Sequence, residues 1–305
     1  MELSVHNIHK RFKEKQVLKG ISFSAQSGQA LGYLGRNGAG KTTTIRILTD
    51  IFKPDEGEIF FDGKPMDFKN VRLGYLPEER GLYPKVKVSE QMVYIGRLRG
   101  MDAASAKKKA LILLDELEAS EYWHKKLETL SKGNQQKIQL AIAVLHDPDV
   151  IILDEPFTGL DPVNAQILKN LISKEAKKGK IVLFSSHQMS YVEEFCSHIC
   201  IINDGGIVVN GKINDIKKTY TRNCVSIMPE AGLSVFEKLK NRPEWETITQ
   251  SAAADGDTIK VTLKDERQKP VLLKLLMENE INIDRFSVVE PTLQEIFVEK
   301  AGGAE

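Results

Sequence analysis

Two short stretches of this chain carry residues whose types and spacing could do chemistry on a phosphate. The first is Gly35-Arg36-Asn37-Gly38-Ala39-Gly40-Lys41-Thr42-Thr43. Glycines let the backbone curl until successive N–H groups face one anion, and a lysine at the next helix start can reach the terminal phosphates of a nucleotide. Thr42 is placed to put its hydroxyl on a magnesium ion. The second stretch is Asp154-Glu155-Pro156, which ends the apolar run Val150-Ile151-Ile152-Leu153. Two carboxylates at the carboxyl end of a buried strand are costly unless a cation or a water awaiting deprotonation lies there. Asp154 suits magnesium, through a water, and Glu155 suits the attacking water. A solvated turn is the bland alternative for Asp154 and Glu155 standing alone; beside a phosphate loop it is disfavoured.

The elements that must position these groups are visible in the same pattern. Residues 29–34 form an apolar strand ahead of the glycines, and a helical pattern opens at Lys41, so the loop joins a strand to a helix start. Residues 150–153 read as a buried parallel strand, and residues 181–184 as another, ending near His187.

Three further segments complete a recognisable set. Leu130-Ser131-Lys132-Gly133-Asn134-Gln135-Gln136-Lys137 precedes the carboxylate strand, Thr158-Gly159-Leu160-Asp161-Pro162 follows it, and His187 closes the next strand. With these motifs in order over residues 1–220, the chain resembles the ATP-binding subunits of ABC transporters. The resemblance implies an α/β P-loop ABC ATPase domain: a parallel core sheet, an antiparallel β edge, and a helical subdomain over about residues 88–146. ATP and Mg2+ are the implied cofactors. It further implies a site completed by a second copy, in a homodimer whose Ser131 and Gly133 meet the terminal phosphate held by the other subunit's Lys41 loop. A small hydroxyl and a glycine at a helix start offer donors to an anion in any case; Ser131 can also simply cap its helix. By the same resemblance Phe12 stacks on adenine with Val17 as an apolar flank, His187 contacts the terminal phosphate, and Asp161 lies at the dimer seam. Catalysis would rest on Glu155, His187 and Lys41, and metal binding on Thr42, Asp154 and Glu78.

Two departures from the family pattern are present. Glu78, in Tyr75-Leu76-Pro77-Glu78-Glu79, stands where a magnesium-facing glutamine is usual, which adds negative charge near the phosphates. Lys132 and Asn134 stand where Gly and Gln are usual in the signature segment. Composition sets outer limits: 43 basic against 42 acidic residues give a formal net charge of +1, which supplies no overall basic field for nucleic acid. No apolar run reaches the eighteen or so residues that span a bilayer. The expectation is a cytoplasmic protein, peripheral on the inner face of the cell membrane, serving a separate polytopic membrane protein. Three cysteines fit a reducing compartment. Cys196-Ser197-His198-Ile199-Cys200 invites a metal reading, but no fourth ligand lies near at zinc spacing, so small buried thiols and a surface histidine are expected.

Leu3, Val5 and Ile8, then Ile21 and Phe23, then residues 58–61 read as an antiparallel edge. Helices are expected from Val88, after a cap at Asp102, and after a cap at Ser131. The surface between Glu78 and Arg99, with Leu82, Tyr83, Met92, Tyr94 and Ile95, is where such subunits receive a short helix from the membrane partner; several of those residues must instead be core. From about Thr221 to residue 305 a small α+β accessory domain follows. Its expected order is strand 224–228, helix 234–240, strand 245–250, strand 258–263, helix 270–279, strand 282–289 and helix 292–300, a ferredoxin-like β-α-β-β-α-β arrangement. Its close, Glu290-Pro291-Thr292-Leu293-Gln294-Glu295-Ile296-Phe297, resembles drug- and sodium-export-type ABC ATPases. A soluble ABC-type ATPase acting on a non-membrane complex is the alternative function.

Overall fold

The computed structural model describes residues 1–79, 81–186, 188–220, 222–240 and 242–302. The chain divides into two compact units, Met1–Ile213 with the segment from Phe297 onward, and Asn214–Ile296. In chain order the first holds β1 (Glu2–Phe12), β2 (Lys15–Gln26), β3 (Ala30–Gly35), α1 (Lys41–Leu48), β4 (Glu56–Phe61), β5 (Lys64–Pro65) and β6 (Leu73–Leu76). Then come α2 (Val88–Leu98), α3 (Ala103–Glu116), α4 (Lys132–Val144), β7 (Val150–Asp154), α5 (Pro162–Lys177), β8 (Ile181–Ser185), α6 (Met189–Phe195), β9 (His198–Asn203) and β10 (Gly206–Lys212).

Among the described residues these strands make two sheets. One is antiparallel, in the order β2-β1-β4-β5; the other runs β10-β9-β3-β8-β7-β6, parallel except for the β9–β10 hairpin. Every residue of β3, β7 and β8 is buried, as parallel strands covered on both faces require. In β1 the inward positions Leu3, Val5 and Ile8 are buried between exposed or half-buried neighbours, and they share one apolar core with Leu18, Tyr33, Ile45, Ile152 and Leu183. The antiparallel strands expected at the edge thus form a separate sheet, which shares its apolar core with the parallel one.

The helical stretch forms α2, α3 and α4 with short 3₁₀ turns at Ser120–Tyr122 and Leu127–Thr129. Asp102 caps α3, accepting from the Ala104 and Ser105 amides at 3.0 and 2.9 Å, and Ser131 caps α4. The β9–β10 hairpin turns on Asp204 and Gly205, both at positive φ (45° and 75°), the geometry of a tight two-residue hairpin turn. No helix among the described residues is long and apolar enough to cross a membrane.

The chain continues with α7 (Ile213–Lys218), β11 (Cys224–Pro229), α8 (Val235–Lys240), α9 (Pro243–Ile248), β12 (Thr249–Asp255), β13 (Thr258–Leu263), α10 (Lys269–Glu278), β14 (Ile283–Val288) and α11 (Leu293–Ala301). Strands β12-β13-β11-β14 make an antiparallel sheet over its own core, in which Val225, Ile227, Phe236, Trp245, Val261 and Leu272 are buried. The β-α-β-β-α-β order of this small unit is present, with one correction. The strand expected over residues 245–250 is largely a helix: Pro243 sits in the first turn of α9, Trp245 is buried in it, and β12 begins only at Thr249.

Candidate nucleotide site

β3 delivers the phosphate loop to the carboxyl edge of the parallel sheet. Gly35, its last residue, lies so close to the neighbouring strand that a side-chain β-carbon there would come within 2.6 Å of the Ile202 carbonyl oxygen. Gly40 caps α1 at φ +113°, a conformation open to glycine, and a β-carbon would meet Leu18 at 2.7 Å. The loop is held from behind. The Gly205 amide donates to Ala39 O at 3.0 Å, and the Lys19 amide donates to Gly205 O at 2.8 Å.

Loop and carboxylates line one cavity of about 700 Å³. Arg36, Asn37, Gly38, Gly40, Lys41, Thr42 and Thr43 form one wall, Glu78, Asp154 and Glu155 another, and Val17 and Lys15 border it. Gly35 and Ala39 lie behind the lining, in the buried base of the loop. Lys41 Nζ donates to Gly35 O at 2.5 Å and Arg36 O at 3.2 Å. Burial lowers the affinity of that amine for its proton, while Glu155, Asp154 and Glu78 pull the other way.

β7 ends in Asp154, and Glu155 follows directly; they are 2% and 8% exposed, too little for solvent to satisfy them. Their partners come from the adjoining strand. Ser185 Oγ donates to Asp154 Oδ1, and the Glu155 amide donates to Ser185 O at 3.1 Å. Ser186 and Thr158 hydroxyls each reach Glu155 Oε2 at 3.4 Å. Burial first, and then Glu78, raise the Asp154 carboxyl above the ordinary carboxylate range, against Ser185, Lys41 and Arg46. Glu155 holds φ +50°, in the left-handed region that few non-glycine residues adopt.

The other expected site residues lie elsewhere. Ser131 accepts from the Asn134 amide at 3.3 Å, and Asp161 accepts from the Asn164 amide at 2.9 Å, each capping its own helix. Gly133 faces Leu160 and Asn164. Phe12 does not line the cavity; it is 39% exposed, with its ring edge-on to Phe52 at 5.4 Å and the Lys10 ammonium 5.7 Å from its centroid. His187 lies outside the described residues. Cys196 and Cys200 are buried, and burial drives both thiols far above their ordinary range.

The chain is 39% identical over 301 residues to an uncharacterized ABC transporter ATP-binding protein, YhaQ, of Bacillus subtilis (strain 168), covering 98% of each chain. It belongs to the ABC transporter ATP-binding proteins. The family described as "ABC transporter" matches residues 18–158 of this ABC protein, and "ATP-binding protein DrrA1-3-like, C-terminal domain" matches residues 211–301. A family described as "AAA domain, putative AbiEii toxin, Type IV TA system" matches residues 126–193 within the same core. The linearmycin resistance ATP-binding protein LnrL of B. subtilis is 30% identical over 312 residues, covering 98% of each chain. A solved ATP-binding subunit of an ABC transporter superposes with TM-score 0.66 at 27% identity, over 72% of this chain and 93% of that one. The protein is an ATP hydrolase of this family, its fold the P-loop ABC ATPase with a further C-terminal domain.

Three side chains important to the geometry escaped the sequence reading: Ser185 and Ser186, which hold the carboxylates, and Lys15, which borders the cavity. The one available signal was a pair of hydroxyls ending an apolar strand.

Proposed function

We propose that this chain drives a separate membrane-spanning partner by closing and reopening a homodimer around two molecules of ATP. The observation that carries the reading is the split among its phosphate-binding residues. Lys41, Thr42, Glu78, Asp154 and Glu155 share one cavity, whereas Ser131, Gly133 and Asp161 do not border it. Donors at a helix start, away from their own subunit's loop, are suited to a second subunit's terminal phosphate.

Magnesium fits the donor set. It prefers oxygen, retains several waters, and needs few protein ligands beside phosphate oxygens. Asp154 and Glu78, two carboxylates on one cavity with the Thr42 hydroxyl, supply such donors. When bound, the metal would neutralise phosphate charge. Glu155 orients or deprotonates the attacking water, Lys41 binds the outer phosphates, and His187 contacts the terminal one. Positioning and electrostatics then supply most of the rate. Phe12 and Val17 receive the adenine, Phe12 leaving Phe52 to stack.

The ATP-binding domain is residues 1–220, with its helical subdomain at about 88–146, and residues 221–305 form the accessory domain. The protein is peripheral on the cytoplasmic face of the cell membrane. A groove of about 530 Å³ that includes Ile51, Phe68, Val71, Leu98 and Arg99 receives a helix of the partner; Tyr83 and Tyr94 are exposed, whereas Met92 is fully buried and contributes to the core. Export is the direction favoured by relatives named for linearmycin resistance and Nod factor export. Glu155→Gln tests the reading. It should bind ATP, dimerise with Mg-ATP in light scattering, and turn over at least ~100-fold more slowly, whereas Lys41→Ala should lose nucleotide binding. Undiminished turnover would remove Glu155 from its role, and a monomer at saturating ATP would remove the dimer.

A further inference from the structure

Behind the carboxylates lies an aromatic assembly that touches none of the cavity. Phe157, two residues after Glu155, is 3% exposed, and its ring centroid stands 4.8 Å from Tyr191, 5.3 Å from Phe184 and 6.5 Å from Phe195. Phe184 belongs to β8, Tyr191 and Phe195 to α6. From α5, Lys169 sets its ammonium 4.9 Å from the Tyr191 centroid and forms an ion pair with Glu194, one turn further along α6. Lys169 is itself only 8% exposed. A lysine so far from solvent requires partners, and here they are a ring face and a carboxylate on the same helix.

One ring therefore ties three segments together: α5, α6 and the loop that begins at Glu155. The tie matters because Glu155 holds a left-handed backbone conformation, which persists only where surrounding structure enforces it. Thr158 Oγ1 and Ser186 Oγ meet the Glu155 carboxylate from the two ends of this assembly, one on the Phe157 loop and one just ahead of α6. Neither Phe157, Tyr191 nor Lys169 lines the cavity, so any effect of theirs on turnover is indirect, and Glu155 is the lining residue nearest to Phe157 in the chain.

We propose that Tyr191 is a positioning residue for ATP hydrolysis: held by Lys169, it seats Phe157 and thereby aims the Glu155 carboxylate into the cavity. The proposal rests on the reading of Glu155 as the group that activates water. Loss of the ring should loosen the aim of Glu155 while leaving the phosphate loop, and hence nucleotide binding, as it was.

The test compares full-length wild type with Tyr191→Phe, Tyr191→Leu, Lys169→Met and Glu155→Gln. Steady-state Mg-ATPase rates, binding of a fluorescent trinitrophenyl-ATP probe and melting temperature are measured for each. Tyr191→Leu should lower kcat at least tenfold with KM and probe affinity within threefold of wild type. Tyr191→Phe, which keeps the ring, should stay within twofold in kcat, and Lys169→Met should fall about threefold. A kcat within twofold of wild type in Tyr191→Leu overturns the proposal. So does a parallel loss of kcat and probe affinity, the mark of general unfolding. Should Tyr191→Leu not fold, Lys169→Met decides, and an unchanged kcat there overturns it. Retained turnover in Glu155→Gln would instead reject the role of Glu155, whereas an inactive Glu155→Gln beside a fully active Tyr191→Leu rejects this inference alone.

Discussion

Replacing Ser185 by alanine isolates one hydrogen bond on a buried carboxylate. Asp154 is 2% exposed and Ser185 fully buried, and the serine hydroxyl donates to Asp154 Oδ1. A hydrogen bond to a charged group contributes about 1.5–3 kcal/mol, and a buried carboxylate that loses a donor has no water to replace it. The Glu155 amide also loses its 3.3 Å approach to Ser185 Oγ, but keeps the Ser185 carbonyl, so that change adds little. A cost of about 2 kcal/mol at neutral pH follows, which lowers the melting temperature of the ATPase core by about 4–8 °C. The effect has a pH signature. The Asp154 carboxyl already sits above its ordinary range, and Ser185 is the largest influence pulling it down. A carboxyl raised on folding binds its proton more tightly in the native state, so its stabilising share is complete at acid pH and disappears as pH climbs through the native value. Removing the serine raises the carboxyl further. The gap between wild type and variant should therefore be widest at neutral pH and narrow on acidification, as Asp154 takes up a proton in both proteins. Calorimetry of nucleotide-free protein from neutral pH down to the acid limit of the folded state measures it. Equal melting temperatures at neutral pH, or a gap that does not narrow, would refute the reasoning.

Further outcomes follow from the same structure. Glu78→Gln removes an anionic donor from the cavity, so turnover should require more magnesium to reach half-maximum; superimposable magnesium titrations would show that Glu78 does not face the metal. His146, whose Nε2 lies 3.2 Å from Leu73 O, is pushed down to about 4, mainly by burial. The unfolded chain therefore protonates first, and stability falls as pH drops from about 6.5 towards 4, by about 2 kcal/mol after allowance for solvent screening. His146→Gln should flatten that part of the melting curve against pH, and an unchanged slope would acquit His146. Trp245→Ala opens a cavity beside Phe236 and should cost the second unit about 3–5 kcal/mol, seen as a lowered or lost transition in calorimetry.

The nucleotide site was legible where it is local. A strand, four glycines and a lysine helix start within twelve residues carry their own geometry, and Asp154-Glu155 announces itself by closing an apolar run. What the sequence hid depends on register. Ser185 pairs with Asp154 only because β7 and β8 lie side by side, with Asp154 opposite Ser185, and nothing within either strand specifies that match. The misread segment at 245–250 has a different cause. Trp245, Thr247, Ile248 and Thr249 favour extended backbone individually, but Pro243 sets the first turn of α9 and the apolar core claims Trp245 from a helix. Phe12 illustrates a third limit: its exposure between charged neighbours was expected, and its contact with Phe52, forty residues away, was not.

The central position of β3 bears on when the protein can first function during its synthesis. The strand that carries the phosphate loop has only two neighbours in its sheet, β8 and β9, whose residues begin at Ile181 and His198. The hairpin turn that braces Ala39 comes later still, at Asp204 and Gly205. A nascent chain that has already exposed every glycine of the loop thus has nothing to hold them in shape until about two-thirds of the polypeptide has left the ribosome. Such long-range pairing is slow to form. A fragment that ends before β8, β9 and the hairpin behind them is therefore expected to bind ATP more weakly than the full chain, which titration of such a fragment with nucleotide would check.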